Sequence, residues 1–188
     1  ANVVILDRDV SLAEKVIHRI EMMEDLTARA VVVYGDVLQP DTLRQADETI
    51  RREFGSIDGL INGAGGNKPQ ATTGADLSFF DLPTDALRFV FDLNILGTIL
   101  PSQVFGKTMA EAGRGSIVNI GSIQGMIGPS YELYTGTNMG DMPPDYFFHK
   151  GGMENLTRFY AAYYGPQGVR VNNLAPGGFF NNQPEPFL

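Results

Sequence analysis

Cysteine is absent from the sequence, and histidine occurs only as His18 and His149. The absence of cysteine excludes disulfides, thiol nucleophiles and cysteine-ligated metals. Two histidines are too few for a histidine metal cluster, so we expect no metal site. No apolar run reaches the length of a membrane helix, and the chain opens on an apolar strand instead of a signal peptide. These absences favour a cytoplasmic protein without a membrane partner.

Basic residues are also scarce, since 14 lysines and arginines stand against 22 aspartates and glutamates, for a formal net charge of −8. A chain with this charge repels phosphate backbones, so nucleic acid is not an expected partner. Hydrophobic residues make up 43% of the chain, with 22 glycines and 11 prolines. That composition is ordinary for a folded α/β protein, and 188 residues suffice for one domain with a sizeable core.

Short apolar runs alternate with segments of helical periodicity along the chain. Strands are predicted at 1–7, 30–34, 57–61, 115–120 and 169–174, with helices between them. The alternation predicts parallel βαβ units, and the almost wholly apolar strands predict a sheet covered on both faces. The expected fold class is therefore α/β, a doubly wound parallel sheet in three α/β/α layers.

Local signals predict several helix ends. The segment Ser11–Glu14 has the pattern of a capping box and predicts the start of the first helix. Pro40 can open the second helix, and Gly55 ends it. A long helix is predicted to start near Thr84, and Pro101 should kink it or shift its register. The last helix is predicted from about 145 to 164.

The distinctive polar and glycine residues all follow predicted strands. In an open parallel sheet the carboxyl ends of the strands meet at one edge, and ligands bind there. The residues that fall at this edge are Asp7, Asp36, Asn62–Gly66, Ser122 and Pro176–Gly178. Their coincidence predicts an active or binding site at the edge.

Tyr146 and Lys150 are four residues apart on a predicted helix, so their side chains share one face. A nearby cation stabilises a phenolate and lowers the pKa of the tyrosine. Such a tyrosine can exchange a proton with an alcohol or a carbonyl. The spacing alone fits two unrelated residues on an amphipathic helix equally well.

Four further features each allow two interpretations. Ser122 could bind a substrate oxygen or be a turn serine, and Asn94 could be functional or bend the helix in which it lies. The segment Gly63–Gly66 could let the backbone approach a ligand closely or form a tight turn. Asp7 could accept hydrogen bonds from two ribose hydroxyls or cap the next helix.

Taken in this order, the residues resemble the short-chain dehydrogenase/reductase family, single-domain branch, from Asp7 to Pro176. Asn62-Gly63-Ala64-Gly65 resembles the family's loop beside the adenine end of the cofactor, and Asp36-Val37 resembles the segment that contacts the adenine ring. Pro176-Gly177 resembles the segment whose backbone holds the nicotinamide carboxamide. The residues that resemble the family's catalytic set are Asn94, Ser122, Tyr146 and Lys150.

The resemblance implies a Rossmann-like fold and a mechanism. Ser122 would orient the reacting oxygen, and Tyr146 would exchange the proton. Lys150 would hold the nicotinamide ribose and lower the pKa of Tyr146, which places both among the cofactor-binding residues. Asn94 would fix a water that connects Lys150 to solvent. Hydride would pass between the substrate carbon and the nicotinamide.

Asp7 predicts NAD as the cofactor, because a carboxylate accepts the free 2′-hydroxyl and repels a 2′-phosphate. Arg8 beside it could soften that repulsion, so NADP stays open. The family's Gly-rich phosphate loop is missing and is expected before Ala1, while a last strand is expected after Leu188. We therefore expect 1–188 to be a single Rossmann-type domain that lacks these two segments.

The stretch from Ser122 to Tyr146 is about twice as long as in common family members. Its extra part, about 126–142, carries polar and aromatic residues that would suit a hydroxyl-rich substrate or form an exposed insertion. The wide spacing also resembles the nucleotide-sugar epimerases and dehydratases. The segments 66–69 and 79–83 resemble mannonate and gluconate oxidoreductases of the family.

Three functions follow as hypotheses. The first is an NAD(P)-dependent oxidoreductase that interconverts a secondary alcohol and a ketone of a sugar, sugar acid or polyol. The second is a nucleotide-sugar epimerase or dehydratase with bound NAD, and the third is an inactive dinucleotide-binding protein. A homo-oligomer, dimer or tetramer, is also expected, because the last helix carries the aromatic residues Phe159, Tyr160, Tyr163 and Tyr164.

Overall fold

Parallel strands and helices alternate through the chain, as the hydrophobic pattern predicts. The computed structural model describes residues 1–23, 28–74, 76–130, 132, 136, 143–178 and 182. The strands are β1 (Val3–Asp7), β2 (Ala30–Tyr34), β3 (Gly59–Asn62), β4 (Gly115–Ile120) and β5 (Val169–Leu174). The α-helices are α1 (Val10–Glu21), α2 (Pro40–Phe54), α3 (Thr84–Phe91), α4 (Gly97–Glu111) and α5 (Pro144–Tyr164).

The strands form two parallel sheets. One has the order β1-β2, with Val3 opposite Ala30, and the other has the order β3-β4-β5, with Asn62 opposite Asn119. A cleft of about 810 Å³ lies between the two sheets and is lined along its length by residues of β1 and β3. The expected α/β fold with parallel, Rossmann-like pairing is confirmed, and the sheet is divided at this cleft.

The main core lies between the three-stranded sheet and helices α2, α4 and α5. Its most deeply buried side chains are Leu43, Met109, Ile117 and Val169, each at most 1% exposed. The predicted apolar stripe of α2 contributes Leu43, Ala46 and Ile50 to this core, with Phe54 packed against it. The core thus fixes α5, which carries Tyr146 and Lys150, against the sheet from which the Ser122 turn extends.

The helix ends confirm one local prediction and correct another. Pro40 opens α2 and Gly55 ends it with a φ of 81°, a backbone conformation that glycine adopts at little cost. The capping box proposed at Ser11 is wrong, because Asp9 caps α1 and accepts a hydrogen bond from the Leu12 amide. Ser11 lies inside the first turn and donates to the Asp9 carboxylate instead, at 2.7 Å.

The helical stretch Thr84–Glu111 changes register at a π turn, Asp92–Leu96, which precedes Pro101 as the expected shift requires. By length and composition alone this 28-residue stretch could cross a membrane, which the sequence did not lead us to expect. Its polar residues Asn94, Thr98 and Ser102 are buried, and α4 packs on α2 and β3. These contacts are those of a core helix.

The remaining segments position the loops of the site. The third strand covers Gly59–Asn62, shifted from the predicted 57–61, and the predicted loop 67–83 contains short 3₁₀ turns at Pro69–Ala71 and Phe79–Asp81. The loop after β4 opens with a 3₁₀ turn at Ile123–Gly125. Most of the expected substrate segment lies outside the described residues, namely Tyr131, Tyr134, Thr135, Thr137, Asn138 and Asp141.

Candidate active site

Tyr146 and Lys150 lie on one face of α5, near its amino end. The Lys150 ammonium donates a hydrogen bond to the Ile120 carbonyl at 2.6 Å, and its Nζ lies 5.7 Å from the centre of the Tyr146 ring. Burial lowers the pKa of Lys150, because desolvation disfavours the charged form. The last residue of β4 therefore holds a partly buried cation beside the phenol, as the predicted roles require.

Ser122 follows β4 by two residues and is 8% exposed. Its hydroxyl caps the 3₁₀ turn by accepting from the Gln124 amide at 3.2 Å. The turn lies directly against α5, since a Cβ on Gly125 would be 2.5 Å from the Lys150 carbonyl oxygen. Only glycine allows this approach, which holds the Ser122 turn next to the Lys150 backbone.

Asn94 lies in the π turn between α3 and α4 and is 5% exposed. Its amide oxygen accepts from the Gly66 N–H at 2.9 Å, and its amide nitrogen donates to the Gly66 carbonyl at 3.0 Å. A Cβ on Gly65 would lie 2.8 Å from the same amide oxygen. Asn94 therefore anchors the loop Gly63–Gly66, called the glycine loop below. The water that Asn94 is predicted to hold would bind the second hydrogen or the second lone pair of its amide.

A cavity of about 260 Å³ brings the loop after β3 and the catalytic helix together. The cavity borders Asn94, Tyr146 and Lys150. Ser122 is not among its lining residues and lies two residues after Ile120, which does line the cavity. The predicted residues Asp7, Asp36, Pro176 and Gly177 are not among its lining residues. The lining residues are Asn62, Gly63, Ala64, Gly65, Gly66, Asn67, Asn94, Thr98, Ile120, Tyr146, His149, Lys150 and Met153.

The side chain of Asn62 is used inside the protein. It donates to the Ser102 hydroxyl at 2.9 Å and to the Asn119 amide oxygen at 2.8 Å. Asn119, which is fully buried in β4, donates in turn to the Thr157 hydroxyl of α5 at 2.9 Å. A cofactor contact at Asn62 would thus come from its backbone, whereas Gly63 and Ala64 border both the cavity and the cleft.

Sequence reasoning missed this polar network, although one signal for it was present. Asn119 is an amide inside the otherwise apolar β4, where a buried polar side chain requires a partner. The network joins β3, α4, β4 and α5, so it fixes the strand ends from which the glycine loop and Ser122 extend. Sequence reasoning also missed His149, the third titratable residue of the cavity lining.

The predicted adenine-side residues lie at the carboxyl ends of β1 and β2. Asp7 is exposed, and its Oδ1 accepts from the Asp9 amide at 2.8 Å. The Asp36 Oδ1 accepts from the Leu38 amide at 2.9 Å, which fixes the turn after β2. Val37 borders the cleft and packs on Gly97 at the start of α4.

The nicotinamide-side segment is tied to the catalytic turn. The Ile123 amide donates to the Pro176 carbonyl at 3.1 Å, and the Gly121 amide donates to the Leu174 carbonyl at 2.7 Å. These bonds connect the residues after β5 with those after β4. Pro176 and Gly177 therefore lie beside the Ser122 turn.

Comparison with known proteins agrees with this geometry. The model of the short chain dehydrogenase family matches residues 1–182. An uncharacterized oxidoreductase of Haemophilus influenzae is 34% identical over 193 residues, which cover 97% of this chain and 63% of that protein. This chain is thus shorter than the relative that it matches.

Solved structures show the same likeness. A candidate D-mannonate oxidoreductase from Haemophilus influenzae with bound NAD superposes with a TM-score of 0.80 at 33% identity, over 97% of this chain and 64% of that one. A gluconate 5-dehydrogenase from Burkholderia cenocepacia in complex with NADP and tartrate gives 0.73 at 25% identity, over 96% and 63%. By the family match, the fold and the order of its site residues, the chain belongs to the short-chain dehydrogenase family of oxidoreductases.

Proposed function

We propose that this protein is an NAD-dependent oxidoreductase that interconverts a secondary alcohol and a ketone on a sugar, sugar acid or polyol. The observation that carries the proposal is the pair Tyr146 and Lys150, with the lysine anchored on Ile120 beside the phenol. A neighbouring cation can stabilise the negative charge of a phenolate, and a phenolate can accept the proton of an alcohol. Both residues border the cavity that Asn94 and the glycine loop complete.

The residues of this chain divide the work between proton transfer and positioning. Tyr146 takes the proton from the alcohol or returns it to the ketone. Lys150 stabilises the phenolate, and its bond to Ile120 keeps the ammonium in place. Ser122, next to α5, orients the reacting oxygen. NAD, when bound, accepts or delivers the hydride.

The strand ends support a dinucleotide. Asp7 presents an exposed carboxylate at the end of β1, and its bond to the Asp9 amide fixes one oxygen and leaves the other free for a ribose hydroxyl. The free oxygen favours NAD, because a 2′-phosphate would meet a negative charge. The backbone from Gly63 to Gly65 can approach the cofactor closely, because glycine has no side chain and alanine has only a methyl group.

The cleft between β1 and β3 supports the sequence-based expectation of a further strand and Gly-rich loop. Both edges of the cleft are strands with apolar side chains such as Val4, Leu6 and Leu60, and its end lies at Gly63 and Ala64. We propose that this strand fills the cleft and carries the pyrophosphate-binding turn to that end. Fusing an apolar strand and a Gly-rich turn ahead of Ala1 should strengthen NAD binding in calorimetry, whereas a polar strand with the same turn should not.

The proposed substrate class draws on the relatives. Two of the similar structures bear the names of a D-mannonate oxidoreductase and a gluconate 5-dehydrogenase, both of which act on sugar acids by name. Their likeness extends over nearly all of this chain. A sugar acid is therefore the first substrate class to test.

The test is an assay of NAD reduction with a panel of sugar acids, polyols and simple secondary alcohols. Changing Tyr146→Phe removes the proton acceptor and should lower turnover by roughly a hundredfold or more with the fold intact. Tyr160→Phe is the matched control, because Tyr160 lies on the same helix but is not among the residues that line the cavity. Substantial turnover in Tyr146→Phe would refute the proposed role, and tightly held NAD without net NADH formation would favour an epimerase.

We also propose a homo-oligomer formed through α5. Phe159 and Tyr163 stack with their ring centres 6.0 Å apart, and each is 60% exposed. Their neighbours Tyr160 and Tyr164 are buried in the main core, so only half of the aromatic cluster is used within the chain. Sedimentation should show a dimer or tetramer that Phe159→Ser with Tyr163→Ser dissociates; an unchanged mass would contradict this interface.

A further inference from the structure

His149 is a third titratable group at the catalytic cavity, next to Tyr146 and Lys150. The ring is 6% exposed, and its centre lies 5.3 Å from that of the Tyr146 ring in an edge-to-face arrangement. The proposed roles of the catalytic residues leave His149 without a function. A buried imidazole beside a proton-transferring phenol is more than packing requires.

The hydrogen bonding of His149 decides which ring nitrogen can accept a proton. Its Nδ1 lies 2.9 Å from the Asp145 carbonyl oxygen, one helical turn earlier. A carbonyl oxygen only accepts, so Nδ1 carries the hydrogen of the neutral ring. The lone pair is then on Nε2, which leaves this nitrogen as the proton acceptor.

A second observation identifies a counter-charge for the protonated ring. Asp145 is 3% exposed, and neither of its carboxylate oxygens has a hydrogen-bond partner among the residues that the structure describes. Its Oδ2 lies 3.7 Å from the His149 Nδ1. A buried carboxylate without a donor is costly, and an imidazolium at this distance would compensate for it. The Asp145 carboxylate therefore lies where it can pair with an imidazolium at His149.

We infer that His149, paired with Asp145, is the internal acceptor of the proton that the reaction releases. The inference rests on the proposed function. In the oxidative direction the alcohol C–H bond breaks as its electron pair leaves with the hydride to NAD, and the O–H proton goes to the Tyr146 phenolate. That proton then passes through the cavity to the His149 Nε2, and the imidazolium forms against the Asp145 carboxylate. In reduction the same proton returns to Tyr146.

The size and the lining of the cavity are compatible with such a transfer. Its volume of about 260 Å³ has room for several water molecules between the polar groups of its lining. Among its described lining residues the titratable side chains are Tyr146, His149 and Lys150, and Asp145 adds the one carboxylate that faces His149 on α5. Only neutral groups come from the other elements around the cavity. These are the glycine loop, Asn94 of the π turn, Thr98 of α4 and Ile120 of β4. His149 exchanges the proton with Tyr146 and not with the substrate.

The first experiment needs no substrate. The chain has two histidines, so nitrogen-15 NMR of the rings gives two sets of signals, and a His149→Asn variant assigns them. We expect His149 as the Nδ1–H tautomer when neutral, and exposed His18 as the reference. Asp145→Asn should reduce the protonated fraction of His149 at any given pH. A neutral ring with its hydrogen on Nε2, or no response to Asp145→Asn, would overturn the inference.

The second experiment follows one turnover by stopped flow, with NADH absorbance and a pH indicator recorded together. In the unaltered protein, proton release to solvent should lag behind NADH formation, because His149 holds the proton. His149→Asn should abolish the lag, lower kcat roughly tenfold with KM unchanged, and flatten the pH profile of kcat. His149→Gln provides a second variant should the first not fold, and His18→Asn is the control that should keep the lag.

The outcomes separate the two proposals. Absence of NADH formation in the unaltered protein would refute the proposed oxidoreductase, while the NMR result would still decide whether the Asp145–His149 pair exists. NADH formation with the same lag and pH profile in His149→Asn would refute the proton-accepting role alone. A loss of lag and of the pH dependence, with folding unchanged by circular dichroism, would establish it.

Discussion

The two sheets of this protein differ sharply in how firmly they are packed. In β1 and β2, all of whose residues are described, every residue is exposed or half-buried, whereas in the other sheet Ile117 and Val169 are at most 1% exposed. The sheet β1-β2 carries Asp7 and Asp36 at its ends, and the sheet β3-β4-β5 positions the four proposed catalytic residues. The proposed proton-transfer groups thus lie beside the more deeply buried sheet, and the carboxylate proposed to discriminate between cofactors lies on the more exposed sheet.

The difference has a physical cause in the neighbours of each sheet. Helices α4 and α5 and the Asn62–Asn119 network cover the three-stranded sheet, while β1 faces the cleft along one edge. A catalytic group must hold its place within a fraction of an ångström, which a packed core ensures. An exposed carboxylate that binds a ribose hydroxyl can move more than a catalytic group and still make its hydrogen bond.

The largest expected loss of stability comes from truncating a buried isoleucine, and the same substitution in each sheet tests the comparison. Ile117→Ala deletes a fully buried side chain from β4 and should lower the free energy of unfolding by about 2–5 kcal/mol. Ile5→Ala in β1 removes the same atoms from a half-buried site and should cost less than half as much. Urea denaturation measures both variants. Equal losses would show that the two sheets are packed alike.

A smaller effect is expected from the buried amide network. Asn119→Ala removes one of the two hydrogen bonds that the Asn62 amide donates and the bond that the Thr157 hydroxyl accepts, and it should cost about 1–3 kcal/mol. Asn2→Ala on the other sheet is the control, because its amide accepts one exposed hydrogen bond from Arg29. That variant should stay within about 0.5 kcal/mol of the unaltered protein. Thermal unfolding, followed by circular dichroism, would distinguish the two.

Cofactor choice should respond to Asp7 with little change in stability. Asp7→Asn removes the charge that repels a 2′-phosphate and should raise the affinity for NADP relative to NAD by roughly tenfold, or about 1.4 kcal/mol. Asp9→Asn, a neighbouring acid that caps α1, is the matched control and should leave the ratio unchanged. Fluorescence titration with both dinucleotides gives the ratio, and an unaltered preference in Asp7→Asn would remove Asp7 from the proposed site.

The smallest expected effect separates two buried tyrosines of α5. The Tyr164 hydroxyl donates to the Ser102 carbonyl at 2.7 Å, so Tyr164→Phe should cost about 1 kcal/mol. Among the described residues the buried Tyr160 hydroxyl makes no hydrogen bond of good geometry, although the Ser102 side chain lies near it, so Tyr160→Phe should cost less than Tyr164→Phe near pH 7. The measurement is urea denaturation at neutral pH.

The same pair has an alkaline signature. Burial raises the pKa of Tyr160 to about 12, above its ordinary value of 10.0. A raised pKa in the folded state means that the stability contribution is complete below pH 10 and is lost as the pH rises towards 12. Tyr160→Phe should therefore flatten this part of the stability profile between pH 10 and 12. An identical alkaline decline in the variant would show that other groups cause it.

The elements of the fold follow from local patterns, and their errors are local too. Pro40 and Gly55 mark the ends of α2 correctly, because a ring-fixed φ and a positive φ are properties of single residues. The capping box at Ser11 is wrong, since Asp9 lies two residues earlier and its carboxylate binds the Leu12 amide first. Two acceptable caps in one short segment cannot be ranked from their sequence alone.

The structure brings predicted site residues together where their geometry is local. Tyr146 and Lys150 need only one helical turn to share a face, and the strand ends need only a parallel sheet to meet at one edge. Asn62 was assigned to the cofactor loop, yet its side chain binds Asn119 on the neighbouring strand, a contact across 57 residues of chain. No periodicity indicates which of two asparagines faces the other.

The sequence by itself determined the order of the elements and the parallel pairing of the strands. It also determined that Tyr146 and Lys150 share one face of a helix. These depend on residue spacing along a helix or strand, which the backbone geometry converts directly into direction. Only the tertiary structure decided that the sheets are divided by a cleft, that Asn94 binds Gly66, and that Asp145 and His149 are buried together. Burial and long-range hydrogen bonds depend on which surfaces pack against each other, and that is a property of the whole fold.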